Sequence, residues 1–185
     1  IMIHLPFKFP LFQYTVPDWK YWKPLLLDRI PQYDLKGDTV STDYHSPHID
    51  QYGSIFEECV SSVLNNFHKD VGHPVYLRNV WAQRARKGDY HCTHNHGSAG
   101  WSAVFYVNFD PKEHTSTGFY SPFTDPATGD ILTYHPEVNE GDIVIFPAQT
   151  LHSANPSTSD IERVIISFNM MSVNEIEIYN LGENK

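Results

Sequence analysis

From Gly72 onward the chain breaks into short runs rich in Val, Ile, Tyr, Phe and Trp, each ended by Gly, Pro, Asn or Asp. Runs of this length and composition are strand-forming. They predict strands at Val75–Ala85, Tyr90–His96, Trp101–Phe109, Thr117–Tyr120, Ile131–His135, Asp142–Phe146 and Arg163–Val173. A strand buries one face only by packing against another layer, so so many short strands predict a mainly β chain, built as a two-sheet sandwich or jelly roll.

Helical signals lie only before Gly72. Ile49, Tyr52, Ile55, Phe56, Cys59, Val60, Val63, Leu64 and Phe67 fall on one stripe, predicting an amphipathic helix over Ile49–Phe67 with Cys59 as a small buried hydrophobe. Trp19, Trp22, Leu26 and Ile30 repeat the spacing, although Pro24 predicts a late start or a kink. The first 16 residues, apolar and holding two prolines, read as an edge strand or packed arm. The 185 residues read as one domain: arm and buttressing helices over 1–72, jelly-roll core over 73–175, and a tail over 176–185.

Charge narrows the function. Thirteen basic against 22 acidic residues give −9, which disfavours nonspecific binding to nucleic acid. No run approaches the ~18 apolar residues of a membrane span. Two cysteines and no charged-then-apolar leader read as a reduced, cytoplasmic protein, in a bacterium or in the infected host of a phage. Arg78, Arg84, Arg86 and Lys87 form a local basic stretch, read by default as a solvated strand and turn.

Histidine is the unusual residue, 11 in all, three of them between His91 and His96. If that segment is a strand, His94 and His96 share a face and His91 points away. Two imidazoles are half of a metal site, and His152, after the apolar strand that starts at Gly141-Asp142 and ends at Pro147, is the candidate third ligand. Three protein ligands leave coordination positions open, as catalytic metals require. Imidazole suits Fe, Zn, Cu or Ni alike. In Arg163–Asn169, alternation puts Val164, Ile166 and Phe168 on a core face and Arg163, Ser167 and Asn169 on the other with Ile165. An arginine there is a fitting carboxylate receptor, because its planar fork grips both oxygens. His4, His45, His48, His68, His73, His114 and His135 read as ordinary histidines.

Gly88-Asp89-Tyr90, His94-Asn95-His96-Gly97-Ser98, Trp101 to Val107, Gly141-Asp142 to Phe146-Pro147, His152 and Arg163 to Asn169 together resemble the Fe(II)- and 2-oxoglutarate-dependent oxygenases. The nearest resemblance is to the small prolyl-4-hydroxylase-like group of marine bacteria and their phages. It implies a double-stranded β-helix (jelly roll), Fe(II) on three facial ligands, and 2-oxoglutarate and O2 as cosubstrates. The implied activity is hydroxylation of a substrate C–H bond, a prolyl residue being the family-level expectation, with release of succinate and CO2. By position His94 and His152 match the family's iron histidines, and Arg163 matches the residue that pairs with the distal carboxylate of 2-oxoglutarate. Tyr106 and Gln83 are further candidates to hydrogen-bond the cosubstrate, with Ser167 and Asn169 beside Arg163.

His96 departs from the family, most of which has an aspartate or glutamate there. The expectation is a three-histidine site, with His96 standing behind the ligands as the alternative. A cupin is the rival reading: Gly88 with His94-x-His96 fits the first cupin motif and Gly141, Pro147 and His152 partly fit the second. It lacks the glutamate after His96 and the glycine after Pro147, and leaves Arg163 without a role. A jelly-roll binding protein with an incidental zinc is a second rival. The prime substrate stays open among peptide, nucleobase and small molecule. The loop His114 to Asp130 is a candidate substrate lid, and the N-terminal arm is a candidate for packing on a second subunit in a homodimer.

Overall fold

A computed structural model describes residues 9–32, 39–45 and 48–172, and among these described residues there are ten strands and two helices. Residues 1–8 of the expected arm, Val173 and the expected tail over 176–185 lie outside that range. In chain order the elements are β1 (Phe12–Thr15), α1 (Trp19–Arg29), β2 (Ser41–Thr42), α2 (Ile49–Val71), β3 (Val75–Ala85), β4 (His91–His94), β5 (Trp101–Asn108), β6 (Gly118–Thr124), β7 (Ile131–Tyr134), β8 (Asp142–Pro147), β9 (His152–Ala154) and β10 (Arg163–Ser172). A major sheet has the order β1-β8-β5-β10-β3-β2, and a minor sheet has the order β4-β9-β6-β7. This is the mainly β jelly roll that the strand pattern predicts.

Strand alternation separates two cores. Val164, Ile166 and Phe168 of β10 face the helices together with Ala103, Phe105 and Val107 of β5, and meet Tyr52, Phe56, Val60, Val63 and Phe67 of α2. The opposite face holds Val104, Tyr106, Val144, Phe146 and Ile165, which meet Phe119 of the minor sheet. The helices therefore cover one face of the major sheet, and the other face is left for the minor sheet and the site between them.

Both helices form where the stripes predict, with one difference. Helix α1 begins at Trp19 despite Pro24, which lies within it; Trp19 and Trp22 still pack on the core beside the buried Leu26 and Ile30. Strand β1 is an edge strand, pairing Phe12 to Ile145 and Thr15 to Asp142. It is also a packed arm, because the Phe12 ring sits edge-on to Phe67 and Trp101.

Three expectations need correction. The expected loop over His114–Asp130 contains β6, which with β7 makes a hairpin, because Phe119 and Tyr120 find ladder partners in Tyr134 and Thr133. His152 does not merely follow a strand; it opens β9 in the other sheet. The basic stretch is not a solvated turn throughout. Arg84 is buried, pairs with Glu162 and donates to the Ile30 and Pro31 carbonyls. Arg86 also approaches Glu162, and Lys87 pairs with Asp160.

Candidate metal centre

The inner face of the major sheet forms the floor of the site. In its ladders Ile165 lies between Gln83 and Tyr106, and Ser167 lies between Trp81 and Val104. Trp81, Gln83, Val104, Ile165 and Ser167 line one small cavity with Thr117 and with His91, His94, His96 and His152 of the roof. His94 of β4 and His152 of β9 are directly opposite each other in the minor sheet.

The histidine parity is not that of a regular strand. Strand β4 stops at His94, and the ladder passes from His91–Ala154 to His94–His152, three residues against two. That bulge puts His91 on the cavity side, its ring 4.1 Å from that of His94, instead of pointing away. His96 arrives from beyond the strand, on a segment pinned by its backbone N–H donating to the Ala148 carbonyl at 2.8 Å. No sequence signal marks the bulge, so strand parity misplaced His91.

The ligand atoms of His94, His96 and His152 lie within 4.8 Å of one another, and among the described residues no carboxylate joins them. Asp142 is at the far end of β8, accepting from Thr15, Gln13 and the Asn139 backbone. Asp89 accepts from the Arg86 backbone in the turn. The tautomers are set locally: His94 Nδ1 lies 2.7 Å from the Cys92 carbonyl and His152 Nδ1 lies 2.9 Å from that of Thr150. With Nδ1–H donating, each Nε2 keeps a bare lone pair. His96 Nε2 and His152 Nε2 then face each other at 3.2 Å. Metal–imidazole bonds of about 2.0–2.1 Å put neighbouring donors roughly 3 Å apart, so this spacing fits a shared cation.

Burial first, then the neighbouring imidazoles, pushes His91 and His96 down to about 4. Burial lowers His152 to about 3, against the Thr150 hydrogen bond that works upward. These three rings are therefore neutral at pH 7, the form that binds metal.

Arg163 is buried at the end of β10. It donates through Nη1 to the Thr115 carbonyl at 3.1 Å, while its Nε is buried without a partner. Among the described residues no carboxylate pairs with it; burial works against its charge and nearby Tyr106 works for it. A buried, under-satisfied guanidinium is a strong demand for an anion. Tyr106 itself donates to Thr117 Oγ1 at 3.0 Å and accepts from the Thr117 N–H. Gln83 Nε2 lies 3.5 Å from His91 Nδ1. Ser167 lines the cavity, whereas Asn169 lies outside that lining and accepts from Ser102 at 2.7 Å. Trp81, His91 and Thr117 are site neighbours that the motifs did not single out.

Between its two facing sheets the jelly roll thus brings together three imidazoles that could hold a metal ion, and the major sheet also carries a buried arginine whose Nε has no partner. Residues 79–169 match a family model described as "Putative 2OG-Fe(II) oxygenase". The chain belongs to the Fe(II)- and 2-oxoglutarate-dependent oxygenase family and is a dioxygenase that uses Fe(II), 2-oxoglutarate and O2. No curated protein matches the sequence.

Solved structures agree on the fold. A viral collagen prolyl hydroxylase from Paramecium Bursaria Chlorella virus-1 is 12% identical, with a TM-score of 0.60 over 88% of this chain and 96% of its own. A Pseudomonas putida prolyl-4-hydroxylase is 14% identical, with a TM-score of 0.54 over 87% and 91%. A Trichoplax adhaerens prolyl hydroxylase, solved with a hypoxia inducible factor peptide fragment, is 9% identical, with a TM-score of 0.62 over 91% and 86%.

Proposed function

We propose that His94, His96 and His152 hold the Fe(II), that Arg163 holds the distal carboxylate of 2-oxoglutarate, and that the hydroxylated substrate is a prolyl-containing peptide. The observation that carries this reading is the pairing of three converging imidazoles with a buried guanidinium whose Nε has no partner. When bound, iron and 2-oxoglutarate together activate O2 and supply the oxidising power that converts a C–H bond to C–OH, leaving succinate and CO2.

The chain's own residues orient and enclose. The Cys92 and Thr150 carbonyls fix the rings of His94 and His152 so that each presents Nε2. Arg163 anchors the cosubstrate's far end, and the Tyr106–Thr117 pair holds the wall beside it. Trp81 and Ile165 are buried and keep water from the floor. Next to the cluster a groove of about 280 Å³ opens between Tyr44, His45 and Trp81 on one side and His91, His94 and His96 on the other. It is open to solvent at Tyr44, which is 50% exposed, and so admits a chain segment to the metal. The Trichoplax adhaerens prolyl hydroxylase, solved with a peptide fragment, supports the substrate class.

Anaerobic titration with Fe(II) and 2-oxoglutarate tests the reading. A visible metal-to-ligand charge-transfer band is expected in the wild type, and Arg163→Ala should weaken 2-oxoglutarate binding by about tenfold or more. Absence of the band, or an unchanged affinity in the variant, sinks the assignment. Succinate release across prolyl peptides, nucleic acids and small metabolites tests the substrate class separately.

A further inference from the structure

Four imidazoles line the small cavity, yet among the described residues only three of them converge on one point. His91 is the one left out. Its ring lies 4.1 Å from that of His94, tilted by 30°, so it stands beside a candidate ligand without joining the set. The Arg163 charge acts on His91, whereas the charges acting on His96 and His152 are those of other imidazoles. His91 therefore lies within electrostatic reach of both the cluster and the arginine.

The proton on His91 is placed by its neighbour. Gln83 of β3 is buried, and its Nε2 lies 3.5 Å from His91 Nδ1, a contact that joins the floor of the cavity to its roof. An amide nitrogen only donates, so Nδ1 must accept and the proton sits on Nε2. This is the reverse of His94 and His152, whose Nδ1–H groups donate to carbonyls and whose Nε2 lone pairs are bare. Gln83 is the sole hydrogen-bond partner of the His91 ring among the described residues, so the Nε2–H is left to donate elsewhere. The cavity thus combines bare nitrogens for a cation with one neutral N–H, and such a donor beside a metal suits an oxygen anion bound to that metal.

With the metal on His94, His96 and His152 and the distal carboxylate on Arg163, a placement on which this step rests, we infer that His91 Nε2–H donates to the metal-end carboxylate of 2-oxoglutarate. Gln83 is then a positioning residue. It touches the imidazole and fixes its tautomer, and does not itself touch the cosubstrate.

Anaerobic calorimetric titration of 2-oxoglutarate into the Fe(II)-loaded full chain, which binds the cosubstrate without consuming it, provides the test. His91→Phe keeps a ring against His94 and removes the N–H; it should weaken 2-oxoglutarate binding by about tenfold or more and leave Fe(II) affinity unchanged. His91→Gln restores an N–H and should recover most of the loss, which a packing role for the ring does not predict. Gln83→Leu should weaken binding less than His91→Phe, and the double variant no more than His91→Phe alone, because Gln83 acts only through the imidazole. The role of His91 is overturned if His91→Phe binds 2-oxoglutarate like the wild type, loses Fe(II) as well, or is no worse than His91→Gln. Wild-type affinity in Gln83→Leu, or additive losses in the double variant, overturns it equally. Arg163→Ala separates the two levels: unchanged affinity there removes the placement of the cosubstrate, whereas a loss there with none in His91→Phe removes only the role of His91.

Discussion

At the scale of single residues, the site departs from its family at one position. With His96 in place of a carboxylate, the three proposed ligands would bring no negative charge to a metal. Neutral imidazoles favour late first-row ions over hard ones, which prefer oxygen donors. In competition titrations, His96→Asp should therefore tighten Mn(II) relative to Zn(II) by about tenfold; an unchanged ratio would remove His96 from the coordination sphere. The pair His94 and His96 was legible in the sequence, but for a partly mistaken reason. Parity assumed a regular strand, whereas His96 arrives through a loop tied to Ala148 and a bulge turns His91 inward. Arg163 was legible because β10 does alternate regularly at that end, and its unsatisfied Nε could be found only in three dimensions.

At the scale of elements, the turn into β8 shows how a glycine fixes a strand. Gly141 has φ +89°, and a Cβ there would lie 2.7 Å from the Trp19 ring. Its N–H donates to the Tyr106 carbonyl and its carbonyl accepts from Val16, tying β1, β5 and β8 together. Gly141→Ala should cost about 2–4 kcal/mol from backbone strain and displaced Trp19, and lower Tm by roughly 5–10 °C. A variant melting within a degree of the wild type would contradict this account. The long helix and the long strands were readable because each has an uninterrupted period. Strands β2 and β9, of two and three residues, were not, since so few positions carry no period.

At the scale of the whole molecule, the centre joins different parts of the fold: two of its imidazoles come from minor-sheet strands and the third from the connection toward the major sheet. A metal that binds only this folded arrangement should stabilise it by about 2.7 kcal/mol at a hundredfold excess over Kd, raising Tm by roughly 5–10 °C. Anaerobic thermal scans with and without Fe(II) measure the shift, and His94→Ala should abolish it. The sandwich was legible from strand count and the helices that precede it, because burial of one face per strand leaves few other architectures. The division of strands between sheets was not, since it depends on long-range pairings that local sequence does not record.

Strand β4 is the other edge of the minor sheet, four residues held by the three-residue β9. So short an edge, with few neighbours, is where a fold opens first. Because it carries His94, which the ladder holds directly opposite His152, any loosening of β4 from β9 also parts two of the three clustered imidazoles, so the persistence of the cluster is set by the least protected strand of its sheet.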